Sequence, residues 1–159
     1  MTDNKVIYHG GKEIIRFPEI RTAKYNKDFY FASYCTYFKK QAERRATRYG
    51  RTGVVNEYSY TSSQNLRTLV FSFMTEEWLN FIVSCRSGKP HNYDIIESPM
   101  ADDTIFNYIQ GSIDGEISRV AFWELAKFKR PTHQISFHTA HALATLNFLL
   151  GYEMSYDDE

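Results

Sequence analysis

His9 is the first residue whose chemistry needs explaining. It closes the strand-like start of VIYHGG, Val6 to Gly11, and two glycines follow it. Val6 and Ile7 are strand formers, so the strand is expected to stop at His9. Gly10 and Gly11 then form either a plain turn or bare backbone that something flat can approach. In NKDFYFAS, Asn26 to Ser33, two phenylalanines can face inward. Tyr30 then points the other way, where its ring could stack on a planar heterocycle. Cys35 precedes a predicted helix, a place where thiols are activated, but the spacing fixes no histidine partner for it. His138 and His141 flank a predicted strand end with no third ligand nearby, so a structural role outweighs a metal. Cys35 and Cys85 are the only cysteines, too few for a disulfide framework or a cysteine-based metal site.

The elements that must position these residues belong to one domain. The 159 residues suffice for a single core, read as one domain over 1–159. Apolar residues make up 43%, a globular proportion that argues against disorder or a membrane class. No apolar run reaches membrane-span length. The opening MTDNK lacks the apolar stretch of a secretion signal. The expectation is therefore a cytoplasmic protein with no membrane partner. Lys and Arg balance Asp and Glu at 19 each, which removes a global basic field for nucleic acid. A local patch remains: Lys40, Arg44, Arg48 and Arg51 share one helical face. A solvated surface is favoured there over a site for a phosphate-bearing partner.

Strand and helix signals interleave. Strands are predicted at Val6–His9, Phe29–Ala32, Val54–Tyr60, Leu66–Phe73, Tyr93–Ser98 and Gln134–His138. A helix is predicted over Tyr37–Tyr49, capped by Ser33 or Thr36 and stopped by Gly50, with Phe38, Ala42, Ala46 and Tyr49 as its apolar face. Thr75 caps a second, with Glu76 and Glu77 in its first turn, and Trp78, Phe81, Ile82 and Cys85 inward. A third starts at Asp102 or Asp103. Ser118 caps a fourth, with Ile117 and Phe122 placed as a hydrophobic staple. Thr139 caps the last, whose run ALATLNFLLG is apolar all round and so is expected to be a buried helix. Short strands in irregular order predict α+β rather than a doubly wound parallel sheet.

Four motifs taken in order, YHGG, YNKDFYFAS leading into QAERRA, YDIIESPMADD and HQISFHTAHAL, resemble a family of small bacterial proteins. That family is related to the diphtheria-toxin and poly(ADP-ribose) polymerase branch of ADP-ribosyltransferases. The resemblance runs from about Ile7 to Gly151. It implies an ADP-ribosyltransferase-like split antiparallel β-sandwich with flanking helices, binding NAD as substrate between two small sheets, without a metal. His9 matches the histidine that binds a ribose hydroxyl. Gly10 matches the residue whose backbone pairs with the nicotinamide carboxamide, and Tyr30 the ring that stacks on nicotinamide. Arg21 and Ser33 join them as NAD-binding candidates. Asn26 and Asp28 stand where the family usually has glycines, and Glu97-Ser98-Pro99 where Gly-Pro is more usual. SYTSSQ resembles the Ser-Thr-Ser element of another ADP-ribosyltransferase class, but no Glu-x-Glu pair follows it, and a polar turn is the better reading.

The family's catalytic glutamate falls at Gln134. Breaking the nicotinamide–ribose bond builds positive charge on the sugar, as in glycoside hydrolysis, and a carboxylate stabilises that charge. Glutamine brings a hydrogen bond and no charge. Three outcomes stay open. Geometry and a good leaving group suffice; another acid such as Asp94, Glu97 or Asp103 reaches the site; or NAD is bound and not cleaved. The expected function is transfer of single ADP-ribose units to a protein or nucleic-acid acceptor, with His9, Tyr30 and Gln134 as the catalytic set. The alternative is a non-catalytic NAD-binding or protein-interaction module. Small stand-alone chains of this kind resemble toxins or phage-defence factors, an analogy that carries an antitoxin partner with it.

Overall fold

The first strand does not stop at His9. In the computed structural model, which describes residues 4–20, 33–48, 50–100, 103–127 and 132–155, β1 runs Asn4–Gly11 and keeps both glycines inside the ladder. The turn expected there is replaced by a packing site. Helix α1 (Lys39–Ala46) lies so close that a Cβ on Gly10 would stand 2.0 Å from the carbonyl oxygen of Ala42. Strand β3 (Thr52–Thr61) meets the same helix through Gly53, whose Cβ would stand 1.9 Å from the Ala46 carbonyl oxygen. Two strand glycines and two helix alanines thus form one seam. Lys12 closes its end, donating from Nζ to the carbonyls of Ala46 at 3.2 Å and Thr52 at 3.0 Å.

The remaining described strands are β2 (Ser33–Cys35), β4 (Thr68–Val70), β5 (Ile95–Met100), β6 (Thr132–Phe137) and β7 (Leu146–Ser155). One sheet has the order β1-β3-β7 and is antiparallel; the other has the order β2-β6-β5-β4. β4 pairs parallel to β5, so the second sheet is mixed rather than purely antiparallel. A single bridge between Tyr8 and Thr36 joins β1 to β2. With helices α2 (Glu76–Arg86), α3 (Asp103–Ile113), α4 (Arg119–Ala126) and α5 (Ala140–Leu143), the described residues form an α+β fold of two sheets and five helices. None of these helices is long and apolar enough to cross a membrane.

Three apolar clusters hold the layers together. Ile7, Tyr58 and Tyr60 of the first sheet meet Cys35, Ile95, Ile135 and Phe137 of the second. Trp78, Leu79 and Ile82 of α2 pack with Ile96, Ile105, Ile109 and Phe122 on the outer face of the second sheet. Ala42 and Ala46 cover Val55 and Met154 on the outer face of the first. Hydroxyl caps start three helices: Thr75 accepts from the Trp78 N–H at 3.2 Å, Ser118 from Ala121 at 3.0 Å, and Thr139 from Ala142 at 3.1 Å. Ile117 packs against the cluster holding Phe122, as a staple requires.

Several expected elements differ. α1 is shorter than Tyr37–Tyr49 and starts after Phe38, which makes no side-chain cap and is exposed. The Thr36 hydroxyl does accept the Phe38 N–H at 3.1 Å. β4 has three residues, not the span Leu66–Phe73. Phe29–Ala32 and Tyr49 lie outside the described residues. The largest correction is the last element. α5 has only four residues, and Leu146–Ser155 is a strand, not a buried helix. Its ladder with β3 shifts register at Glu57/Tyr58, where Leu149 is passed over. Leu146 and Phe148 pack between the sheets, while Tyr152 and Met154 pack under α1. The strand packs one face first and the other face later, and Leu149 and Leu150 between them stay exposed; together these apolar residues imitate a helix that is apolar all round.

Candidate functional site

Strand alternation places His9 on the same face as Ile7, toward the space between the sheets. His9 is half-buried and sits opposite Asn56 in the ladder. The buried amide of Asn56 donates to the Glu13 carbonyl at 3.0 Å and accepts the Ile15 N–H at 2.9 Å. The Tyr58 hydroxyl donates to the Ile15 carbonyl at 2.5 Å. The chain leaving β1 is thereby pinned beside His9. Tyr8 exchanges both backbone bonds with Thr36, at 2.8 and 2.9 Å. Residues two apart on a strand aim their peptide groups at the same edge, so Gly10 also presents its N–H and C=O toward the β2 side. Among the described residues no ladder continues there beyond Tyr8 and Thr36. The two sheets part beside His9 and Gly10.

Gln134 is buried on β6, opposite Ser98 of β5. Extending the β2–β6 register by one puts Gln134 level with Thr36, and so with Tyr8. His9 and Gln134 are therefore two strand spacings apart, roughly 10 Å. Along its own strand Gln134 shares a face with Ser136, not with Ile135, which packs between the sheets. Tyr30 and Arg21 lie outside the described residues, as do Asn26, Asp28 and the side chains of Ser33 and Asp103.

The residue beside Gln134 does face the space between the sheets. His133 accepts the Tyr37 backbone N–H on Nδ1 at 3.1 Å, with the Thr36 hydroxyl 3.3 Å from the same nitrogen. An accepting Nδ1 leaves the proton of the neutral ring on Nε2, which faces Glu97 Oε1 at 3.3 Å. The Tyr37 ring stacks on the imidazole at 4.6 Å between centroids and 25° between planes. Its hydroxyl lies 3.5 Å from Glu97 Oε2. Burial, and then the Glu97 carboxylate, push the Tyr37 phenol up from its ordinary pKa, and the Tyr60 phenol likewise. Gln41 of α1 holds the His133 backbone from both sides, donating to its carbonyl at 2.7 Å and accepting its N–H at 2.9 Å. Sequence reading raised Glu97 as one of three substitute acids and missed His133 and Tyr37.

The other candidates have structural surroundings. Cys35 is buried, and its thiol is pushed up to about 12 by burial alone, the opposite of an activated nucleophile. His138 Nε2 is 2.7 Å from the buried Ser136 hydroxyl, and its ring meets His91 edge-on at 4.4 Å. Among the described residues no group of three His, Cys, Asp or Glu is placed to hold a metal. Lys40, Arg44, Arg48 and Arg51 are all exposed.

Asp94 borders a depression of about 440 Å³ together with Asn65, His141 and Thr145, which neither His9 nor Gln134 lines. Its carboxylate accepts from the Thr139 hydroxyl at 2.7 Å and the Arg67 N–H at 2.9 Å. The Thr139 bond first, and then the Arg67 N–H, hold it below the usual aspartate pKa. A depressed folded-state pKa stabilises the fold above the unfolded value of about 3.9, and that stabilisation is lost as pH falls through the folded value. Asp94→Asn should therefore be less stable than wild type near neutrality, with the gap closing below about pH 4. Thermal melts across that range check this; a gap constant with pH contradicts it.

No curated protein matches the chain. No solved structure matches it either. A family model described as "Protein of unknown function (DUF3990)" matches residues 5–148. That span takes in β1, the Glu97–His133 pair, Gln134 and the start of β7, so the chain belongs to the DUF3990 family.

Proposed function

We propose that this protein binds NAD where its two sheets part and transfers single ADP-ribose units to a protein or nucleic-acid acceptor. In this reading the α+β fold is an ADP-ribosyltransferase-like split β-sandwich. The observation that carries the reading is the edge of β1. Gly10 turns its N–H and C=O toward the gap between the sheets, directly after His9, with the Tyr8–Thr36 bridge marking where the gap begins. A carboxamide carries one donor face and one acceptor, so it can pair with both backbone groups of one residue. His9 would hold a ribose hydroxyl beside it, and Tyr30 would stack on the nicotinamide ring. Cytoplasmic location, a role as toxin or defence factor, and an antitoxin partner accompany this reading by analogy alone.

The test is NAD binding by calorimetry. His9→Ala should weaken NAD by about 1 to 3 kcal/mol through a lost buried hydrogen bond. Equal affinity in wild type and variant would make His9 structural. A second reading, an NAD-binding or protein-interaction module without catalysis, is favoured by one specific feature: Gln134 stands where an acid is expected. Nicotinamide release from NAD separates the two readings.

A further inference from the structure

We propose that Glu97 is the carboxylate that the Gln134 position lacks, and that His133 and Tyr37 hold it against the reacting sugar; this rests on the NAD-cleaving reading above. Four observations converge. First, Glu97 lies on the strand face that looks into the space between the sheets, as His9 does. Its strand neighbours Ile96 and Ser98 face away, and Ile96 belongs to the outer cluster under α2 and α3. Second, its side chain keeps 26% of its surface open while that of His133 keeps 14%. The carboxylate is therefore shielded yet reachable. Third, among the described residues no Lys or Arg lies within ion-pair range of it; its partners are the His133 ring and the Tyr37 hydroxyl. A carboxylate with no cation beside it is not tied up in an ion pair, and a positive charge developing next to it would be stabilised. Fourth, its orientation is set from outside. The Tyr37 N–H fixes the His133 tautomer, Tyr37 stacks on the ring, and Gln41 clamps the backbone beneath it. Such support is what a positioned acid–base group requires.

The step balances as follows. The bond from ribose C1′ to the nicotinamide nitrogen breaks, and both its electrons leave with nicotinamide, which departs neutral. The positive charge moves to the ribose ring, where Glu97 stabilises it. A hydroxyl of the acceptor, water in the simplest case, gives a lone pair to C1′. Its proton passes to Glu97 and then to solvent. Each NAD thus yields one nicotinamide, one ADP-ribosylated hydroxyl and one proton. Glu97 carries the charge.

The experiment uses the full chain, with NAD affinity read by calorimetry and cleavage by nicotinamide release. Glu97→Gln preserves shape and removes charge. It should lower cleavage at least about 100-fold while changing the NAD dissociation constant less than about threefold and leaving the melting temperature near that of wild type. Glu97→Ala with added formate gives a second arm. Formate should restore cleavage in that variant by about tenfold or more, and should do nothing for wild type. His133 acts through Glu97 as a positioning residue, so His133→Gln should lower kcat with KM for NAD unchanged. Cleavage by Glu97→Gln within about threefold of wild type overturns the proposal while leaving NAD chemistry standing. Loss without formate rescue in folded Glu97→Ala overturns it too, assigning Glu97 to structure. A wild type that binds NAD without cleaving it overturns the Glu97 assignment and selects the binding module. A wild type inert to NAD overturns both readings.

Discussion

Replacing Gly10 with alanine should cost the fold about 3 kcal/mol or more, the upper end for overpacking a core. The added carbon would stand 2.0 Å from the Ala42 carbonyl oxygen and 2.9 Å from the Ala46 nitrogen. Both are backbone atoms of α1, so no side chain can swing away; the helix must lift off the strand. Lifting it opens the contacts of Ala42 and Ala46 with Val55 and Met154 as well. For a chain of this size each kcal/mol is about 2 to 4 °C in melting temperature. Gly11→Ala is the internal control. Its Cβ would meet only the His9 ring, 3.0 Å away at the nearest atom, and a ring can shift slightly. Gly53→Ala pushes the same helix in the same direction, against the Ala46 carbonyl, so the double variant should be less destabilised than the sum of the singles. Thermal melts of the four variants beside wild type decide this. If Gly10→Ala melts like Gly11→Ala, α1 is not seated as described.

That result bears on how Gly10 was read. The residue pattern leaves open a plain turn or a flat object against bare backbone, and the structure has a close approach with no turn at Gly10. What approaches is α1 on one side of the strand. The peptide groups of Gly10 lie in the plane of the sheet, at right angles to that contact, so helix packing and carboxamide pairing do not compete for the same space. A glycine pair after a histidine announces closeness without naming the neighbour. That information sits in Ala42 and Ala46, more than 30 residues along the chain.

Local signals were legible where one short segment carries the whole cause. Thr75, Ser118 and Thr139 each cap a helix through their own hydroxyl, and the energetics of a cap need no distant partner. β7 failed for the reverse reason. Its apolar residues answer to three neighbours at once: the second sheet, α1 and the register shift opposite Glu57/Tyr58. None of these is visible within LNFLLGYEMS. β4 failed because a three-residue edge strand owes its pairing to Ile95–Glu97 rather than to its own sequence. In the candidate site the missed residue was His133, adjacent to Gln134. Neighbours on a strand face opposite ways, so choosing Gln134 amounted to choosing a face. Glu97 and Tyr37, which point to the other face, come from segments 36 and 96 residues distant from His133.

Gln134 shares the Ser136 face of β6, away from Glu97 and His133. Only if its amide still reaches the sugar should Gln134→Ala lower ADP-ribose transfer by at least about 100-fold, roughly 2.7 kcal/mol of transition-state stabilisation, and leave NAD affinity nearly unchanged. That pattern marks an interaction made in the transition state and not in the ground state. Gln134 is buried, so truncation also leaves its former partners unsatisfied, at about 1 to 3 kcal/mol of stability. Activity must therefore be compared at a temperature where both proteins are folded. Gln134→Glu separates geometry from charge. A carboxylate at a buried position is costly unless paired, so this variant should melt lower than wild type. Yet if it reaches the sugar it should hold or raise NAD cleavage, because an oxocarbenium-like state favours nearby negative charge. Glu97 alters the expected size of that gain. With one carboxylate already supplying charge, a second adds little, and Gln134→Glu should change the rate only a few-fold in wild-type background. Only if position 134 reaches the same sugar from the opposite face should the substitution restore activity in a Glu97→Gln background, a coupling that a double-mutant cycle reads directly. Equal effects of Gln134→Glu in the two backgrounds would mean that the two positions do not serve the same sugar. Full transfer by Gln134→Ala would remove Gln134 from the site and leave it as a buried hydrogen-bonding residue of β6.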